Sequence, residues 1–232
     1  MVRIIGHRGA AGEEPENTLR SFSKAVELGA DMVELDIRIC ASGELVVIHD
    51  ETVDRTTNGS GRVNDLDFSK LRKLDAGSGE MIPTLDEVIE LIDGCLGLDI
   101  ELKDPGTAEQ VRKILDKAND EGIIDGENII VSSFDPSILL DFKGRDGFYK
   151  MGVLVQNNPW GAEEFGSMIS AFSVHPEFEF LTEEFVSRSH RMDLKVIPWT
   201  VNEIGDIRRM VGMGCDGIVT DYPGRVREIL GS

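Results

Sequence analysis

The sequence predicts an α/β protein, a (β/α)8 TIM barrel with a small insertion after the second strand, and three observations lead there. Short β-rich apolar runs alternate with helix-start signals along all 232 residues, the pattern of parallel strands joined by helical crossovers. Division of the chain into eight such units gives about 29 residues each, close to the usage of a barrel of roughly 250 residues. No G-x-G-x-x-G follows the first run, so the dinucleotide-binding version of an open doubly wound sheet lacks its site. No linker or low-complexity stretch interrupts the alternation, and residues 1–232 read as one domain.

The first strand is expected over residues 2–6. Asn17-Thr18 then opens a helix that Leu28-Gly29 closes. The second strand, 32–38, is followed after Cys40-Ala41-Ser42-Gly43 by an extra apolar run, 44–48. That link is too short for a parallel crossover and suits a tight hairpin, so the second strand should overshoot the rim and fold back. A turn centred on Ser42-Gly43 sets Ile48 or His49 opposite Asp36 or Ile37, bringing His49 beside Asp36. Residues 51–80 are polar and turn-rich, with Asn58-Gly59-Ser60-Gly61 and one short amphipathic piece, 68–74. They read as an insertion on the rim. Thr84-Leu85-Asp86-Glu87 has capping-box spacing, and Thr107 with Gln110 repeats it. Asp135 before Pro136 marks another helix start. The remaining strands are expected at 98–102, 129–132, 151–155, 169–174, 196–200 and 217–220.

Charge excludes several function classes. With 24 Lys+Arg against 43 Asp+Glu, the net charge is −19 and the isoelectric point about 4.5. Phosphate-backbone affinity rests on cationic side chains releasing counterions, so no nucleic-acid partner is expected. The same sign disfavours a stable membrane association, and no run approaches the ~20 apolar residues of a spanning helix. Met1-Val2-Arg3-Ile4-Ile5-Gly6 is too short for the apolar core of a signal peptide, so the chain reads as cytoplasmic. Cys40, Cys95 and Cys215 are far apart and form no CxxC; they read as small hydrophobes rather than disulfides or zinc ligands. Nothing in the sequence indicates an oligomeric state.

Chemistry concentrates at the expected C-terminal ends of strands, the catalytic face of such barrels. His7-Arg8-Gly9 ends the first strand, and its cation beside a glycine that permits close backbone approach suits a phosphate. Glu34-Leu35-Asp36 places two carboxylates on one face of the second strand by the period of two. Barrel strands have helices outside and packed side chains inside, so neither face is solvated, and paired buried acids need a cation. Glu101, near the rim end of Leu98-Asp99-Ile100-Glu101-Leu102-Lys103, is the third ligand; Asp99 falls one layer deeper, where a structural ion pair is an equal reading. An all-oxygen set points to one divalent ion, Mg²⁺ or Ca²⁺, with Mn²⁺ as a further option, rather than zinc. His7 and His49 then flank a metal, an arrangement for in-line phosphoryl chemistry in which one imidazole takes a proton and the other gives one. His175 ends a strand and is a lesser candidate. His190 lies mid-helix and reads as surface.

Together these residues resemble the glycerophosphodiester phosphodiesterase family. The ordered pieces are His7-Arg8-Gly9, Pro15-Glu16-Asn17-Thr18, Glu34-Leu35-Asp36, Val47-Ile48-His49-Asp50, Asp54-Arg55-Thr56-Thr57-Asn58-Gly59, Glu101-Leu102-Lys103, Ser133-Phe134, Trp199-Thr200-Val201-Asn202 and Asp216-Gly217-Ile218-Val219-Thr220-Asp221-Tyr222-Pro223. The resemblance implies the barrel, a metal on Glu34, Asp36 and Glu101, and acid/base histidines at His7 and His49. It further implies that Arg8 and Lys103 hold the phosphate and that Phe134 and Trp199 wall the pocket. The activity implied is metal-dependent hydrolysis of a small glycerophosphodiester to sn-glycerol 3-phosphate and an alcohol. A phospholipase D-like lyase forming a cyclic phosphate is the alternative; it needs a lipid-binding rim, and 51–80 offers Leu66, Phe68, Leu71 and Leu74 without an aromatic cluster. A barrel that only binds a phosphorylated ligand is disfavoured by the presence of every acid and both histidines. Glu16-Asn17-Thr18 reads foremost as a helix cap, and Asp221-Tyr222-Pro223 as a turn closing the last strand or a substrate contact.

Overall fold

The structure, a computed structural model, describes residues 2–143 and 148–231. The strands are β1 (Arg3–Gly6), β2 (Met32–Ile39), β3 (Leu45–Val47), β4 (Gly97–Leu102), β5 (Ile129–Ser133), β6 (Lys150–Val155), β7 (Ser173–Pro176), β8 (Lys195–Val196) and β9 (Gly217–Thr220). The helices are α1 (Leu19–Glu27), α2 (Phe68–Leu71), α3 (Leu85–Ile92), α4 (Thr107–Asp120), α5 (Pro136–Lys143), α6 (Ala162–Ile169), α7 (Glu183–Arg191), α8 (Ile204–Gly212) and α9 (Pro223–Leu230). The ladder runs β8-β7-β6-β5-β4-β2-β1-β9, all parallel, with β3 set aside as an antiparallel partner of β2. Between β8 and β9 the ring is joined by backbone bonds outside the ladder, Asp216 N–H to Val196 O at 2.9 Å and Val219 N–H to Pro198 O at 3.0 Å. The fold is the expected (β/α)8 barrel.

The period of two sorts side chains into distinct layers. Val33, Leu35 and Ile37 of β2 and Leu98, Ile100 and Leu102 of β4 pack outward in the large core shared with the helices. Ile5, Met32, Ile130, Ile197 and Val219 fill the barrel interior as a separate apolar plug. Above that plug the inward positions turn polar, with Asp99, Ser132, His175, Glu34, Asp36 and Glu101 all buried. The insertion has its own small core of Val53, Val63, Leu71 and Ala76, which packs with Ile82 on Val46 and Ile48 of the hairpin. None of the described helices is long and apolar enough to cross a membrane.

Of the four helix starts read from the sequence, three follow their local chemistry. Thr18 caps α1 by accepting from the Ser21 N–H, and Thr84 with Glu87 forms the reciprocal capping box of α3. Asp135 accepts from Ser137 N–H at 2.8 Å ahead of α5. The exception is Thr107, which caps nothing: Gly106 takes the cap position in left-handed conformation, and Thr107 Oγ1 donates to Asp104 O at 2.8 Å inside the first turn of α4.

Three further expectations shift. The run 169–174 is divided between elements, since α6 continues to Ile169 and stops at left-handed Ser170; six residues are too few for a period that separates a buried helix end from a strand. The run 196–200 is regular strand only at its start, β8 beginning at Lys195 and ending at Val196, while Ile197 and Trp199 N–H go on donating to Val174 O and Pro176 O of β7 at 3.0 and 3.1 Å. In the hairpin, Ile37 pairs with Val47, and Ile48 N–H donates to Asp36 O at 3.0 Å. Ile48 therefore lies opposite Asp36, and His49 stands one step beyond.

Candidate active site

The register of β2 on β4 builds the acidic centre. Asp36 pairs laterally with Glu101, and Glu34 with Asp99 one layer below. Glu34, one methylene longer than Asp99, reaches up, and ligand oxygens of Glu34, Asp36 and Glu101 lie within 4.8 Å of one another. Asp99 turns away instead, accepting from Ser132 Oγ at 2.7 Å and facing His175 Nδ1 at 3.4 Å. These contacts are those of the ion-pair reading of Asp99. His175 is fully enclosed at this level, 2.7 Å from Ser173 Oγ, and forms part of the floor rather than the rim. His190 is on α7, held by Asp216 at 2.7 Å, away from this centre.

The loop after β1 supplies a strained cradle. Arg8 adopts φ +50° and Gly9 φ +87°, a left-handed pair that costs an arginine conformational energy and is tolerated where surroundings over-determine it. Here Arg8 N–H donates to Glu34 Oε2 at 2.9 Å, and Arg8 O accepts from Ser21 Oγ at 2.8 Å. A Cβ at Gly9 would meet Ser21 Oγ at 2.4 Å, so only glycine fits. Arg8 Nη1 reaches Glu16 Oε1 at 2.6 Å, and its Nε lies 3.3 Å from Asp36 Oδ2. Asn17, also left-handed, gives its amide to Asp36 Oδ2 at 2.8 Å. The 15–18 segment thus caps α1 and steadies Asp36; Glu16 lies outside the three-acid cluster and pairs with arginines.

Each histidine carries a carboxylate on the same ring nitrogen. His7 Nδ1 donates to Asp221 Oδ1 at 2.6 Å, and Asn202 Nδ2 donates to Asp221 Oδ2 at 2.6 Å. His49 Nδ1 donates to Asp50 Oδ1, also at 2.6 Å. Both Nε2 atoms are left to exchange protons, the tautomer a general acid or base needs. Sequence reading missed Asp221 as the partner of His7 and Asn202 as the partner of Asp221. A signal was available: a closed barrel pairs its first and last strands, Gly6 faces Thr220, and the next residues on each are His7 and Asp221.

His7, Arg8, His49, Glu34, Glu101 and Lys103 border one cavity of about 360 Å³ together with Phe134 and Trp199. The two aromatic rings meet edge to face at 5.5 Å, and Lys103 Nζ lies 5.8 Å from the Phe134 ring centre. Lys103 Nζ also reaches Glu101 Oε1 at 2.6 Å and Asp36 Oδ1 at 3.1 Å. All nine residues singled out from the sequence converge here, Asp36 beneath the rest.

Electrostatics test whether a cation fits. Burial, then the charges of Asp36 and Glu101, push the Glu34 carboxyl well above its ordinary 4.5. Burial and the Asp36 charge take Glu101 to about 7 against the pull of Lys103. Burial acts in the same sense on Asp36, but Lys103, Arg8 and His49 outweigh it and hold that carboxyl below its ordinary value. Asp36 Oδ1 is buried, with the Lys103 ammonium 3.1 Å away. A buried carboxylate between two acids that resist ionisation is the environment a divalent cation relieves, and the all-oxygen donor set suits a hard one. For His49, burial and the cations Lys103 and Arg8 outweigh Asp36 and lower the imidazole, favouring its neutral form near pH 7.

A pH-dependent stability follows. Glu101 has a folded-state value near 7 against 4.5 when free, so the metal-free fold holds a proton there that the unfolded chain has lost. Its contribution is intact below pH ~4.5 and disappears as pH rises through about 7; Glu34 adds in the same direction. Asp36 works oppositely, but only below its ordinary 3.8. The rise in melting temperature caused by Mg²⁺ or Ca²⁺ is therefore expected to be larger at pH 8 than at pH 5.5, measured by calorimetry. Equal rises at both would contradict the acidic cluster as the binding site.

Comparison with known proteins agrees with this geometry. Residues 7–225 match the glycerophosphoryl diester phosphodiesterase family. A glycerophosphodiester phosphodiesterase of Caldanaerobacter subterraneus subsp. tengcongensis is 42% identical over 95% of this chain and 94% of its own. One from Bacillus altitudinis is 34% identical over 99% and 98%. Among solved structures, an Oleispira antarctica phosphodiesterase in complex with the product sn-glycerol-3-phosphate superposes with a TM-score of 0.91 at 29% identity, covering 99% of this chain and 97% of that one.

Proposed function

The chain belongs to the glycerophosphoryl diester phosphodiesterase family, and we propose that it is a metal-dependent hydrolase releasing sn-glycerol 3-phosphate and an alcohol from small glycerophosphodiesters, with His7 and His49 as the acid and base. One observation carries this reading: two histidines, each held through Nδ1 by a carboxylate, border the same cavity as three clustered acids and two cations.

Glu34, Asp36 and Glu101 would hold the metal, Mg²⁺, Ca²⁺ or Mn²⁺, which when bound supplies a Lewis acid that draws charge from a phosphate oxygen. Arg8 and Lys103 add permanent positive charge where the phosphate oxygens become more negative during displacement. One histidine takes the proton of the attacking water, or of the substrate's own glycerol hydroxyl, through Nε2, and the other gives a proton to the departing alcohol oxygen. After hydroxyl attack, a water deprotonated by the second histidine opens the cyclic phosphate, the first returning the proton to the glycerol oxygen. Asp221 and Asp50 keep each Nδ1 protonated, so neither ring can present the wrong nitrogen. Phe134 and Trp199 offer an apolar wall beside the phosphate, excluding water from one side of the cavity. A diester that is anionic overall meets a chain of net charge −19; screening over ~8 Å at physiological salt leaves the local cations to decide binding.

The deciding experiment is glycerol 3-phosphate release from glycerophosphocholine and glycerophosphoethanolamine with Mg²⁺, Ca²⁺ or EDTA, followed by phosphorus NMR. Metal-dependent release is expected, with EDTA abolishing it. A five-membered cyclic phosphate as final product, or no release from either substrate, would overturn the hydrolase reading.

A further inference from the structure

The insertion carries Asp54-Arg55-Thr56-Thr57-Asn58-Gly59, a motif that neither the metal centre nor the acid/base pair uses. Arg55 departs from the outward, solvated arginine expected of a polar loop. Its Nε and Nη2 donate to Asp50 at 2.7 and 3.0 Å, while Nη1 and Nη2 donate to Glu16 at 2.7 and 2.8 Å. One guanidinium thus grips two carboxylates, each with two bonds, a geometry that lysine cannot reproduce. Asp50 Oδ1 is the oxygen that also holds His49 Nδ1, and Glu16 Oε1 is the oxygen that also holds Arg8 Nη1. A continuous chain His49–Asp50–Arg55–Glu16–Arg8 therefore joins two residues that border the cavity.

The rest of the motif fixes where Arg55 stands. Thr57 Oγ1 donates to Val53 O at 2.8 Å and accepts from Gly59 N–H at 3.0 Å. Asn58 N–H donates to Asp75 O at 3.0 Å, and Asn58 Oδ1 accepts from Asp75 N–H at 2.9 Å. The turn is tied to itself and to the far end of the insertion, whose apolar core lies beneath it.

We infer that Arg55 is a positioning residue, the clamp by which the insertion aligns the His49 ring and the Arg8 guanidinium for the same phosphate. This rests on the roles given to His49 and Arg8 above. The Arg55 side chain is 48% exposed, and exposed ion pairs contribute little to fold stability. Its contribution is to orientation, since groups supporting an active side chain typically change activity by about 10–100-fold when lost.

The test is steady-state kinetics on glycerophosphocholine for Arg55→Gln, Arg55→Lys, Asp50→Asn, Glu16→Gln and the double variant Arg55→Gln/Asp50→Asn, with melting temperatures beside each. Arg55→Gln is expected to melt within a few degrees of the parent and to lose roughly 10–100-fold in kcat/KM. Asp50→Asn should share the kcat part of that loss and Glu16→Gln the KM part, and the double variant should match Asp50→Asn in kcat rather than multiply the two losses. Arg55→Lys keeps the charge without the fork and should recover little. Full recovery in Arg55→Lys, multiplicative losses, or an Arg55→Gln enzyme within twofold of the parent would overturn the clamp. A His49→Ala control separates the readings: an inactive control with active Arg55→Gln removes the clamp alone, while an active control removes the role of His49 on which it rests.

Discussion

Replacement of His49 by alanine is expected to lower kcat by roughly 10²–10⁴-fold, the usual worth of a positioned acid or base. His7→Ala should do the same. His49 is partly exposed and bonded through Nδ1 to its sequence neighbour Asp50, so its removal leaves neither a cavity nor an orphaned buried charge. The loss should therefore appear without a comparable drop in melting temperature. Paired roles predict a bell-shaped dependence of kcat/KM on pH in the parent, with each variant flattening a different limb. Asp221→Asn should resemble His7→Ala more than it resembles a surface change, because an amide at that position can offer its N–H to Nδ1 and favour the wrong tautomer. Rates unchanged in either histidine variant, or the same limb lost in both, would refute the paired assignment.

The second large effect is expected at Glu34. Glu34→Gln keeps the size of the side chain and an oxygen for the Arg8 N–H, but removes one of three clustered charges. A metal's stabilisation of transition-state charge amounts to several kcal/mol, so activity should fall on the order of 10³-fold. Stability should move the other way. In the metal-free parent, burial and the charges of Asp36 and Glu101 oppose ionisation of Glu34, and the neutral amide relieves that opposition above pH 7. The variant is thus expected to melt no lower than the metal-free parent at pH 8, while losing most of the parent's melting-temperature rise on adding Mg²⁺ or Ca²⁺. An active variant, or one that still gains the full rise, would place the metal elsewhere.

Much of this centre was legible in the chain. Period two in Glu34-Leu35-Asp36 and Asp99-Ile100-Glu101 is a local steric property of a strand, and the structure shows it as apolar residues outside and acids inside. The short Ser42-Gly43 turn foretold the hairpin that brings His49 back to the rim, though the backbone bond of Ile48 to Asp36 places His49 one step further along. Thr18 and Thr84 announced their helices because caps bond within a few residues. The same signal misled at Thr107, where Gly106 had the left-handed freedom to take the cap.

The sequence by itself determined the fold class and the alternation that aims the acids inward, since these are written in local spacing, while Lys103, Phe134 and Trp199 entered through the family resemblance of their motifs. Only the tertiary structure decided the partnerships: Asp221 on His7, Asn202 on Asp221, Arg55 between Asp50 and Glu16, and Lys103 on Glu101 and Asp36. These contacts join side chains from different strands and loops, His7 and Asp221 being 214 positions apart. No local preference encodes them; they exist because closing the ring sets β1 beside β9 and lays the insertion over the first loop, where partly buried charges are stabilised by an opposite charge in contact.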